Sequence, residues 1–170
     1  MIVKKDNILA DADLAHLQQS LLGNDFPWFY FPYKVGKNYS DYEGNEFDFQ
    51  FQHIFYNNYS AQSRYIDVLQ PLINFLNPSA LVRIKANLTT RTQDIIKYPM
   101  HVDFENFNGE TAIFYVNSNN GFTEFESGEI IESTANTMII FPADMRHTGT
   151  TSSDEKVRCV INFNYYKWKN

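Results

Sequence analysis

His101-Val102-Asp103 is the sharpest chemical feature of this sequence. On a strand, residues i and i+2 face the same side, so one imidazole and one carboxylate at this spacing can reach a single ion. A third ligand must come from elsewhere, and the chain has 4 histidines. His16 lies among Leu14 and Leu17, and His53 lies in an aromatic stretch. His147 follows the apolar run 138–141 and precedes Thr148-Gly149-Thr150. Two hairpins of a jelly roll would return that position beside the first pair, which makes His147 the geometric choice. Two imidazoles and one carboxylate suit iron(II) and leave coordination positions open. A closed zinc site needs four ligands, usually with thiolates, and Cys159 is the single cysteine.

Taken alone, His-x-Asp is common and is more often only a surface pair at a strand end. The later histidine, and Arg158 beyond it, add weight to the metal reading. In the run 156–164, alternation puts Arg158, Val160, Asn162 and Asn164 on one face and Val157, Cys159, Ile161 and Phe163 on the other. A guanidinium among mostly apolar neighbours requires a partner. A bound dicarboxylate would supply one through a bidentate pair. Pairing with Asp154 or Glu155 is the plainer alternative.

The elements that must position these groups divide the chain into two regions of different character. Residues 11–22 place Leu14, Leu17, Leu21 and Leu22 at helical spacing, with Gly23 as a stop. Residues 60–76 repeat the pattern up to Asn77-Pro78. Between them, two prolines argue against a central strand in the aromatic segment 26–33. From residue 81 onward the pattern is strand-like: 81–88, 111–116, a hairpin of 122–125 with 129–131, 138–141 and 157–165. In the first of these, Leu81, Arg83, Lys85 and Asn87 share a face. The expectation is a single α+β domain. Residues 1–80 form a helical and aromatic support, and 81–166 form a double-stranded β-helix, or jelly roll, with the N-terminal helices on the outer face of one sheet.

Composition narrows the function classes. A formal net charge of -6 disfavours nucleic-acid binding. One cysteine excludes an internal disulfide and fits a reducing compartment. The start lacks the apolar stretch of a signal peptide, and no run reaches the roughly 18 apolar residues of a membrane span. These features lead to the expectation of a cytoplasmic protein with no membrane partner. The 15 Phe and 11 Tyr suit strands and recognition surfaces.

The order His101-x-Asp103, His147, Arg158 resembles the 2-oxoglutarate- and iron(II)-dependent oxygenases, and is most similar to their prolyl 4-hydroxylase-like branch, including small phage and bacterial members. The stretches 83–88, 111–117 and 141–149 support it, so the resemblance spans roughly residues 80–166. It implies that His101, Asp103 and His147 bind iron(II), and that Arg158 holds the distal carboxylate of 2-oxoglutarate. It implies further that Tyr115 and Tyr98 match active-site tyrosines of that branch, that dioxygen is the oxidant, and that ascorbate is an optional accessory. A phage-encoded member would work in its host's cytoplasm. Leu88-Thr-Thr-Arg-Thr92 departs from the branch's pattern, so Asn87 or Thr89 takes the place of its usual tyrosine. Asp103 excludes the halogenase variant, in which a small residue replaces the carboxylate.

The activity implied is hydroxylation of a C–H bond coupled to decarboxylation of 2-oxoglutarate to succinate. A prolyl or other peptidyl substrate is the first expectation, and a free amino acid or other small molecule the second. A jelly-roll binding module is the non-enzymatic reading. Segment 26–33 is a candidate lid or hydrophobic wrap. Arg91, Lys97 and Arg146 are candidate surface contacts.

Overall fold

A computed structural model of the protein describes residues 1–34 and 46–168. Strand β1 (Val3–Asp6) is followed by helix α1 (Asp11–Leu22), then β2 (Phe29–Phe31), β3 (Gln50–Asn57) and the short β4 (Ser60–Ala61). A 3-10 turn at Ile66–Leu69 leads into α2 (Gln70–Leu76). The remainder is β5 (Ala80–Thr90), β6 (Glu110–Tyr115), β7 (Phe122–Phe125), β8 (Ile130–Glu132), β9 (Thr137–Pro142), β10 (His147–Gly149) and β11 (Val157–Tyr166).

Two antiparallel sheets result. The larger has the order β1-β9-β6-β11-β5-β3-β2, with β4 paired to β3, and the smaller has the order β10-β7-β8. Alternation assigns each strand of the large sheet two packing partners. Ala112, Phe114, Met138, Ile161 and Phe163 pack with Leu17 and Leu21 of α1 and Leu69 and Leu72 before and within α2. Their neighbours Ile113, Tyr115, Ile139, Phe141 and Val160 pack instead with Phe125 of the small sheet. The helices therefore cover the outer face of the large sheet, and the small sheet covers the inner face, which is the expected jelly-roll arrangement.

Several local expectations change. The helix expected over 60–76 is confined to 66–76, because Pro71 lacks an N–H and is tolerated only in the first helical turn. Ser60–Ala61 folds back on β3 instead. The helix ends at Asn77, which takes a left-handed φ of 43°. Segment 26–33 does hold a strand, but a sheet-edge one, Phe29–Phe31, lying between Pro27 and Pro32. The N-terminal region thus supplies strands as well as helices, with β1 and β2 at opposite edges of the large sheet.

Candidate metal centre and its cavity

His147 opens β10 and packs edge-on against Phe141, with ring centroids 4.9 Å apart. His101 is not on a regular strand. It forms an isolated bridge with His147, and Asp103 follows in a bend. The i and i+2 argument for a continuous strand therefore does not place Asp103. Its carboxylate is held from the large sheet instead, where Arg83 Nη2 lies 3.2 Å from Oδ1 and Asn164 Nδ2 donates to Oδ2 at 2.9 Å. Asn164 sits where the β11–β5 register shifts, and such bulges re-aim a side chain. Arg83 Nε in turn donates to Asn164 Oδ1 at 3.1 Å.

His101, Asp103 and His147 bring one ligand atom each to within 4.8 Å of one another. The Nδ1 of His101 lies 3.2 Å from the Pro99 carbonyl, and the Nδ1 of His147 lies 3.1 Å from the Met145 carbonyl. A carbonyl only accepts, so each Nδ1 carries a proton, and Nε2 is the ring atom left to bind a metal. Metal-bound imidazoles are oriented by this same kind of second bond. Burial, helped by the charge of His147, pulls His101 down to about 4, so its imidazole is neutral at pH 7. Burial pushes the Asp103 carboxyl up, but the charges of Arg83, His147, Lys85 and His101 outweigh it and hold the group well below the usual carboxylate range. Two imidazoles and one anionic carboxylate are a donor set that fits iron(II).

These groups open on a cavity between the sheets. Arg158 lines it, buried to 4% exposure. Its Nε donates to Ser133 Oγ at 2.8 Å, and its Nη2 to Thr123 Oγ1 at 3.2 Å and the Phe122 carbonyl at 3.3 Å. All three acceptors are neutral. Asp154, the alternative partner, accepts instead from the Asn120 N–H at 3.0 Å. Gly121 makes room for this arginine, because a Cβ there would stand 2.6 Å from Arg158 Cδ. Burial lowers the proton affinity of Arg158, yet a guanidinium stays charged in a protein.

The remaining expected residues divide. Asn87 lines the cavity, and its buried Oδ1 has no hydrogen-bond partner. Thr89 is buried with an unpartnered Oγ1, opposite Arg158 in the β5–β11 register, but does not line the cavity. Tyr115 is fully buried behind the lining and donates to Thr123 Oγ1 at 3.0 Å. Tyr98 is also behind the lining and donates to the Phe47 carbonyl at 3.2 Å. His53 bonds to Pro27 and Ser63 and packs among aromatic rings. Phe26 belongs to the core, whereas Phe29 and Tyr30 of the same segment are exposed. Lys97 pairs with Glu124, and Arg146 with Glu126.

Lys34, Lys85, Thr123 and Asn162 also line the cavity, and Arg83 and Asn164 support Asp103. None was assigned a role from sequence. The signal was present for part of this set, since Arg83, Lys85 and Asn87 share a polar face on a strand central to the sheet. Burial pulls Lys85 down to about 8, with the charge of Arg83 adding to the effect. Burial also holds Lys34 well below the usual lysine range, and the charges of Arg158 and Lys85 push the same way.

Solved structures share this architecture over nearly the whole chain. A prolyl hydroxylase from Trichoplax adhaerens, solved with a hypoxia-inducible-factor peptide fragment, superposes at a TM-score of 0.67, covering 98% of this chain and 83% of its own at 11% identity. A Pseudomonas putida prolyl-4-hydroxylase gives 0.61, covering 98% and 92% at 11% identity. The chain has the fold of the 2-oxoglutarate/iron(II) oxygenases. A non-haem α-ketoglutarate-dependent epimerase from nogalamycin biosynthesis has it too, at a TM-score of 0.66 and 12% identity, covering 98% of this chain and 77% of its own. The same fold thus carries more than one reaction. No family model matches the sequence, and no curated protein matches it.

Proposed function

We propose that this chain is a 2-oxoglutarate- and iron(II)-dependent oxygenase that hydroxylates a C–H bond of a peptide or small-molecule substrate. The observation that carries this reading is the convergence of His101, Asp103 and His147 with both Nδ1 atoms tied to carbonyls, beside a buried Arg158 whose hydrogen bonds among the described residues go to neutral groups. Iron(II) with 2-oxoglutarate and dioxygen supplies the oxidation of an unactivated C–H bond, and the cosubstrate leaves as succinate and carbon dioxide.

The chain's own residues bind and orient. His101, Asp103 and His147 hold the metal on one side and leave its other positions free. Arg158 takes the distal carboxylate of 2-oxoglutarate, a partner that offsets the cost of burying a guanidinium. Thr123 Oγ1 already accepts from both Tyr115 and Arg158, so its own proton is free to be donated towards the cavity it lines.

The test is direct. Anaerobic addition of iron(II) and 2-oxoglutarate should give a metal-to-ligand charge-transfer absorption, and admitting oxygen should give succinate. Absence of the band would overturn the cosubstrate assignment. A band without succinate, across proline-containing peptides and free amino acids, would leave the non-enzymatic binding module as the better reading.

A further inference from the structure

The cavity holds more positive charge than the proposed cosubstrate can neutralise. Lys34, Lys85 and Arg158 all line it, and Asp103 is the one carboxylate among the described lining residues. That carboxylate is committed to Arg83, Asn164 and the metal. 2-Oxoglutarate brings two carboxylates, of which one goes to the metal and the other to Arg158 under the function proposed above. Both lysines are then left over.

Their surroundings offer no substitute. Among the described residues neither ammonium group has a carboxylate partner within ion-pair distance. Lys34 Nζ rests 4.8 Å from the centroid of the Tyr98 ring. Asp48, the acid that attracts it, accepts from the Lys34 backbone N–H at 3.3 Å rather than from the ammonium. The Lys34 carbonyl accepts from Gln50 Nε2 at 3.4 Å, so its backbone is fixed at the cavity wall. Lys85 pairs with Asn162 across β5 and β11, four residues along β11 from the position of Arg158. At about 3.3 Å per residue that is roughly 13 Å along the sheet, so Lys85 and Arg158 address different parts of the cavity. The buried Oδ1 atoms of Asn87 and Asn162 beside it have no hydrogen-bond partner. Part-buried cations that lack a carboxylate partner among the described residues are costly, and an anion between them removes the cost.

We propose that Lys34 and Lys85, with the Asn87 and Asn162 amides beside them, form an anion subsite for the substrate, so that the molecule oxidised is a small acid carrying its own carboxylate or phosphate. This rests on the oxygenase reading, and the two can fail separately. The charge-transfer titration with 2-oxoglutarate tests the oxygenase reading alone, whatever the substrate is.

For the subsite, protein loaded anaerobically with iron(II) and 2-oxoglutarate is titrated with acetate, inorganic phosphate and neutral acetamide, followed by calorimetry. One of the anions should bind at least tenfold more tightly than acetamide. Preference for acetate assigns a carboxylate, and preference for phosphate a phosphate ester. Lys34→Gln and Lys85→Gln should each weaken that anion about tenfold or more while changing 2-oxoglutarate affinity less than threefold. Both variants remove a part-buried charge, so their metal-free melting temperatures should equal or exceed that of the parent. Equal binding of acetamide and both anions overturns the proposal, as does anion binding that the two substitutions leave unchanged, which would place it on the metal. A loss of 2-oxoglutarate in Lys85→Gln as large as that in Arg158→Gln also overturns it, by assigning the lysine to the cosubstrate.

Discussion

The backbones of His101 and His147 hydrogen-bond to each other in both directions, each N–H donating to the other's carbonyl at 2.9 Å. Two proposed ligands far apart in sequence are therefore neighbours by main-chain pairing, with ring centroids 5.0 Å apart. The pairing does not depend on the side chains. His101→Ala and His147→Ala should keep the parent circular dichroism spectrum, yet each should weaken cobalt(II), a redox-stable substitute for iron(II), by about 100-fold or more. Calorimetric titration checks this. Parent-like cobalt affinity in either variant would remove that residue from the ligand set.

Asn164 orients Asp103 by a hydrogen bond to its carboxylate and also receives one from Arg83 and gives one to Thr111 Oγ1. Asn164→Ala leaves the ligands in place but frees the carboxylate to rotate. Cobalt(II) affinity should fall by about tenfold or more, the usual scale for loss of such a supporting contact. An unchanged affinity in a folded variant would mean that Arg83 alone orients Asp103.

Arg158 and Tyr115 both reach Thr123 Oγ1, and the arginine and threonine line the cavity whereas the tyrosine does not. Arg158→Gln should weaken 2-oxoglutarate by about 100-fold, the scale for removing one partner of an enclosed charge pair, with metal affinity little changed. Tyr115→Phe should cost less than Thr123→Val, because the tyrosine acts through the threonine. The charge-transfer titration ranks all three. A larger loss in Tyr115→Phe than in Thr123→Val would mean that the tyrosine contacts the cosubstrate itself.

His101 makes metal-free stability depend on pH. Its folded value of about 4 lies below the ordinary 6.5, so between the two the unfolded chain binds the proton more readily. Its contribution is complete above about pH 6.5 and is lost as the pH falls towards about 4. In the presence of a chelator, the urea midpoint of the parent should fall between pH 7 and pH 5 by more than that of His101→Gln. Parallel pH profiles for the two proteins would contradict a buried neutral imidazole.

Phe163 is fully buried between β11 and the helices. Phe163→Ala should destabilise the protein by about 3–5 kcal/mol. Chemical denaturation measures it, and a loss below about 1 kcal/mol would mean that this face of the sheet does not form the core.

Sequence alone determined the periodic and chemical content. The helix at Asp11–Leu22, the strands that alternate through residues 81–88 and 157–165, and the division of β11 into a face with Arg158 and Asn162 and a face with Cys159, Ile161 and Phe163 were all legible, because side-chain direction follows from the backbone period. The resemblance carried by His101, Asp103, His147 and Arg158 supplied the jelly roll. Other features required tertiary structure. The strands β1 and β3 owe their pairing to a sheet edge built by distant residues, which local pattern does not encode. Asp103 is held by Arg83 and Asn164 through contacts of long sequence separation, and its spacing from His101 gave no hint of them. Lys34 and Lys85 looked like ordinary polar residues. Only the tertiary fold turned two lysines into part-buried cations facing a cavity, since the charge of a side chain is written in the sequence but its solvation is set by the fold.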